Sequence, residues 1–101
     1  MWRTRVVFAL LALSMPAYPT EGIAMWGCAP AGQRRNVLYL ADRGARSYVK
    51  VGTQRVSARV VATQTERTWS FGTTTVVLTA DDFADYIENG TVKSRFKCKM
   101  M

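Results

Sequence analysis

Between Asn36 and Cys98 no apolar run exceeds the length of a short strand, and turn-forming residues interrupt the chain every eight to twelve positions. That rhythm is too short-paced for packed helices. It predicts an all-β domain, a small antiparallel barrel or sandwich of six to seven short strands.

The segments follow from local composition. Ala29–Arg35 holds Pro30 and Gly32 and reads as an extended lead-in. Asn36–Ala41 contains Val37, Leu38, Tyr39 and Leu40, a run of strand length. Asp42-Arg43-Gly44-Ala45 supplies a turn, and Ser47–Val51 then alternates Tyr48 and Lys50 against Val49 and Val51. After Gly52-Thr53-Gln54, the segment Arg55–Thr63 is rich in β-branched residues and reads as one strand. Arg67–Phe71 places Trp69 and Phe71 on one face, and Thr73–Thr79 carries Val76, Val77 and Leu78.

Thr79–Gly90 supports two readings. Thr79-Ala80-Asp81-Asp82 follows the capping-box pattern, and Phe83, Tyr86 and Ile87 fall on one helical face. Asn89-Gly90 is a strong hairpin signal, and the alternating run Thr91–Cys98 needs a partner, so Phe83–Glu88 is assigned as a strand. The expected core is Trp69, Phe71, Val76, Leu78, Tyr48, Val56, Phe96 and one of Leu38 and Leu40.

The first 24 residues read as an address. Arg3 and Arg5 precede the apolar run Val6–Met15, Pro16 ends it, and Gly22 and Ala24 form a small-x-small exit. This is the secretory signal pattern, with cleavage expected after Ala24 and Ala17 as the next candidate. The run is too short to span a bilayer as a helix. Residues 25–101 are then expected to form a single domain of an exported protein, periplasmic or secreted, with no transmembrane helix. Lipid attachment at Cys28 is the lesser alternative, because Trp26 fits poorly among the residues before it. Removing residues 1–24 takes away Arg3, Arg5 and Glu21, so the remainder carries 12 basic and 6 acidic residues, a net charge of +6.

Cys28 and Cys98 bracket this domain. In an exported protein an even cysteine count reads as a disulfide, and two cysteines allow one pairing. The bridge is expected to close one end of the fold.

Composition also limits chemistry. The chain has no His, so the usual general base at neutral pH is missing. Asp81, Asp82, Asp85 and Glu88 cluster in sequence but match no calcium-loop spacing, and carboxylates within one turn cannot flank a sugar. There is no phosphate-binding glycine loop. No catalytic residues, metal ligands or cofactor are expected, and the chain is read as a non-enzyme. Lys93, Arg95 and Lys97 occupy alternate positions of the last strand, with Lys99 beyond them. This basic stripe could meet an anionic lipid or glycan, or it could protect an edge strand from pairing with other chains. Nucleic acid is not an expected partner, since the aromatic residues alternate inward.

The signal-like start, early cysteine, short β-rich domain and terminal cysteine resemble the periplasmic and membrane-bound bacterial inhibitors of c-type lysozyme. Val56-Ser57-Ala58-Arg59 is similar to that family's Ser-Ala loop, and Thr68-Trp69-Ser70-Phe71-Gly72 to its aromatic-Trp-Ser/Thr-Lys-Gly strand. The resemblance implies a small antiparallel β-barrel that inserts the segments around Ser57 and Ser70 into a lysozyme cleft. The family's lysine position is Phe71 here, so the cation would come from Arg59 or Arg67. The alternatives are a cationic envelope protein using the Lys93–Lys99 stripe, or a small structural protein.

Overall fold

The computed structural model describes residues 24–101, so the expected signal lies outside them apart from Ala24. Nine strands follow one another: β1 (Ala24–Pro30), β2 (Leu38–Asp42), β3 (Tyr48–Val51), β4 (Gln54–Ser57), β5 (Arg59–Ala62), β6 (Glu66–Phe71), β7 (Thr74–Thr79), β8 (Phe83–Glu88) and β9 (Thr91–Met100). A 3₁₀ turn at Gly44–Arg46 separates β2 from β3. The all-β expectation holds, but the count of six to seven strands is corrected to nine. Ala24–Pro30 is a full strand that pairs with both β2 and β9, and Arg55–Thr63 divides at Ala58.

All neighbours are antiparallel in the order β4-β3-β2-β1-β9-β8-β7-β6-β5. Eight antiparallel steps therefore separate β4 from β5, which makes the two run in the same sense. They are two halves of one extended segment that exchanges its partner at Ala58, from β3 to β6. The Ala58 N–H turns to the Ser47 carbonyl at 3.0 Å, which anchors the exchange. The sheet thus comes round on itself as a nearly closed barrel, with pairing of the first and last strands completing the wall.

The Thr79–Gly90 ambiguity resolves as a strand. The Thr79 hydroxyl donates to the Asp81 carboxylate and to the Phe83 carbonyl, and Asp82 adopts φ 70°. Those residues close a turn, and a left-handed Asp82 cannot begin a helix. At the far end of β8, Asn89 (φ 51°) and Gly90 (φ 79°) make the tight hairpin into β9.

The inward faces of the strands fill the barrel with Trp26, Cys28, Leu38, Leu40, Val49, Trp69, Val76, Leu78, Ala84 and Cys98. Trp69 is fully buried; its indole N–H donates to the Ala41 carbonyl at 2.9 Å, and Trp26 meets its ring edge-on at 5.7 Å between centroids. Leu38 and Leu40 both enter the core, while Phe71 and Phe96 are half-buried against it. Val56 is corrected from core to surface, at 39% exposure. It faces inward opposite Val49, but β4 has no strand on its other side.

Cys28 and Cys98 are bonded, as expected, but within the wall rather than across an end. They sit directly opposite each other on β1 and β9, both buried. Among the described residues, no helix is long and apolar enough to cross a membrane.

Candidate functional site

The partner exchange at Ala58 organises the first group of candidate residues. Inward positions belong to Ala58 and Val60, which pack against the core, so Ser57 and Arg59 face outward. Arg59 stands directly opposite Ser70 on β6, and all three of Ser57, Arg59 and Ser70 are exposed. A shallow open pocket of about 410 Å³ lies beside them, lined by Gly44, Ala45, Ser57, Ala58, Arg59 and Val60. Three of the four residues that the sequence nominated for partner contact are thus brought to one patch.

Arg67 is elsewhere. It shares the inward face of β6 with Trp69, stacks over the Trp26 ring at 4.8 Å and pairs with Asp42 at 3.1 Å. Asp42 lies next to the 3₁₀ turn, where it also accepts from the Gly44 N–H and the Ser47 hydroxyl, both at 3.4 Å. Arg67 therefore joins the β2 end to β6 across the barrel mouth, and does not extend the Ser57–Arg59–Ser70 patch.

The basic stripe is modified in two respects. First, β9 is not an edge strand but lies between β1 and β8, so protection of an edge cannot explain its charge. Second, the register slips between Tyr86, opposite Ser94, and Ile87, opposite Val92, leaving Lys93 as an extra residue. This bulge turns Val92 to the outer face, where it is 56% exposed, and takes Lys93 out of the regular row. Arg95, Lys97 and Lys99 remain on the outer face. Arg95 pairs with Asp85 at 3.3 Å, and both Arg95 and Lys97 lie over Phe83, at 4.8 and 5.0 Å.

The acidic cluster does not converge. Among the described residues, no group of three or more His, Cys, Asp and Glu side chains could hold a metal ion. The Thr79 hydroxyl bond holds the exposed Asp81 carboxyl below its ordinary pKa. Burial, then the Glu88 carboxylate, push the Tyr86 phenol up, partly offset by a hydrogen bond from Thr74.

Sequence reasoning missed a second set of cations. Lys50 lies over Tyr39 at 5.5 Å and Arg55 over Tyr48 at 4.0 Å, on the outer face of β2–β4. Alternation marks each as outward-facing, but only the strand register shows that they stand side by side. Compared with known proteins, the chain matches no family model, no curated protein and no solved structure.

Proposed function

We propose that this protein is an exported bacterial binding module of the lysozyme-inhibitor type, acting at the cell envelope through Ser57, Arg59 and Ser70. The observation that carries this reading is the strand exchange at Ala58. It gathers those three side chains on one exposed patch at the break in the hydrogen-bonded wall. Ion pairs among the described residues occupy Arg67 and Arg95, so the Arg59 guanidinium is available to the catalytic acids of a lysozyme cleft. It would do there what the family's lysine does, from a neighbouring strand rather than from position 71. The Arg67–Asp42 pair serves as the brace that holds β6, and hence Ser70, in place.

Calorimetric titration of the oxidised protein against a c-type lysozyme tests the proposal. One-to-one binding is expected, weakened at least tenfold by Arg59→Ala and less by Ser57→Ala, with thermal stability unchanged in both. Such lysozymes are themselves strongly basic. Two net-positive partners repel at long range, so added salt should leave the affinity unchanged or raise it. No binding, or equal affinity in both variants, would refute the reading.

A further inference from the structure

The strand register assembles a row that crosses half of the barrel's outer wall. Lys99 on β9 stands opposite Gly27 on β1, Gly27 opposite Tyr39 on β2, Tyr39 opposite Lys50 on β3, and Lys50 opposite Arg55 on β4. Four strand spacings make this row roughly 19 Å long. The outward positions of these five strands include no carboxylate: Met25, Gly27 and Ala29 on β1, Tyr39 and Ala41 on β2, Tyr48 and Lys50 on β3, Arg55 and Ser57 on β4, and Lys97 and Lys99 at the end of β9. Among the described residues, the acidic side chains fall instead on β6, β8 and the turn between β7 and β8, or inward at Asp42.

The row is not flat. Between β1 and β2 the chain doubles back through a turn at Pro30–Gln33, closed by the Gln33 N–H on the Pro30 carbonyl at 3.0 Å. The returning segment lies on the bare backbone of Gly27, where a Cβ would come within 2.5 Å of the Asn36 amide. Between this segment and β9 runs an open groove of about 590 Å³. Its polar lining comprises Arg34, Gln33, Asn36, Lys97 and Lys99, with Phe83 as an apolar wall and Asp82 as its carboxylate. None of Arg34, Lys97, Lys99, Lys50 and Arg55 is in an ion pair within the described residues.

We propose that this groove and row are a second binding site, for an acidic polysaccharide chain. The cations match a repeating carboxylate, and the Gln33 and Asn36 amides can both donate to and accept from sugar hydroxyls. A bilayer takes inserted apolar side chains, whereas Arg34, Lys97 and Lys99 line a concave groove; the exposed Met100 and Met101 beside it make vesicle binding the competing outcome that the test separates. Bases need open aromatic faces, and Tyr39 and Tyr48 are already covered by Lys50 and Arg55. The site does not depend on the lysozyme reading: its groove is lined from β1, the β1–β2 turn, β8 and β9 and holds none of Ser57, Arg59 and Ser70, although the row ends at Arg55, next to Ser57 on the outer face of β4.

The test titrates the full, oxidised chain with a short oligogalacturonate. Binding is expected to be saturable and to weaken steeply with salt, the opposite sense to lysozyme binding. The triple variant Arg34→Ser/Lys97→Ser/Lys99→Ser should lose roughly tenfold or more in affinity. The charge-keeping Lys97→Arg/Lys99→Arg variant should stay close to wild type, and so should Arg59→Ala. Circular dichroism on each variant confirms the fold. Absence of binding, an unaffected triple variant, or tighter binding to phosphatidylglycerol vesicles or single-stranded DNA than to the oligogalacturonate would overturn the proposal.

Discussion

Replacing Trp69 with Phe probes the centre of the barrel. Trp69 is fully buried, donates to a carbonyl 28 residues away and takes the edge of Trp26. The smaller ring leaves roughly 40 Å³ unfilled, which at about 24 cal/mol per Å³ costs about 1 kcal/mol. Losing the buried indole hydrogen bond to Ala41 costs about 1.5 kcal/mol more. Weakening the edge contact with Trp26 adds about 0.5 kcal/mol. The sum is about 3 kcal/mol, a large share of the 5–15 kcal/mol that holds a typical domain. In a domain this small it corresponds to a fall in Tm of about 12–24 °C. Urea unfolding followed by far-ultraviolet circular dichroism measures it. Val61→Ala is the control, since Val61 is 57% exposed and its truncation should change stability by less than about 0.5 kcal/mol. A Trp69→Phe loss below about 1 kcal/mol would show that the indole does not tie β6 to β2, and the account of the core would fall with it.

Three further outcomes are expected. Cys28→Ala/Cys98→Ala opens a cross-link spanning 70 residues and should cost about 4 kcal/mol in urea unfolding, with a larger m-value because the denatured chain is freer; an unchanged midpoint would exclude that entropic role. Asp42→Asn removes the carboxylate that pairs with Arg67 at 3.1 Å and should cost about 1 kcal/mol; lysozyme binding should weaken slightly as the brace on β6 loosens, while the glycan titration stays unchanged. Because the Tyr86 pKa is raised in the folded state, its contribution to stability is fully present below pH 10 and lost as pH rises through the folded pKa. Tyr86→Phe should therefore flatten the alkaline limb of a stability–pH profile, and an identical limb would contradict the assignment.

The two proposed surfaces make opposite demands on salt. The Arg59 patch would work against net repulsion between basic proteins, while the groove of Arg34, Lys97 and Lys99 would work by attraction to a polyanion. One salt titration with each ligand separates them, and either can fail without the other.

Local pattern alone determined much of this protein. Turn residues, alternation and β-branched runs located β2, β3 and β6 to β9, and β4 with β5 as a single run, because period-two alternation and positive-φ turns act within a few residues of one another. The Cys28–Cys98 bond followed from pairing arithmetic, and Trp69, Val76 and Leu78 were recognisable as core from size and phase. What the tertiary structure decided is where distant strands meet. Ala24–Pro30 lacks a strand-like pattern of its own and becomes a strand because β2 and β9 lie on either side of it. Arg55–Thr63 reads as one strand and is divided only because β3 and β6 claim different halves. Arg67 looked like a contact residue, and only the phase of β6 against Trp69 turned it inward to Asp42. The Lys99–Arg55 row is the clearest case, since its members are scattered along the chain and become neighbours through cross-strand register. Register is set by the summed burial of whole inner faces and by closure of the ring, and no window of sequence contains either.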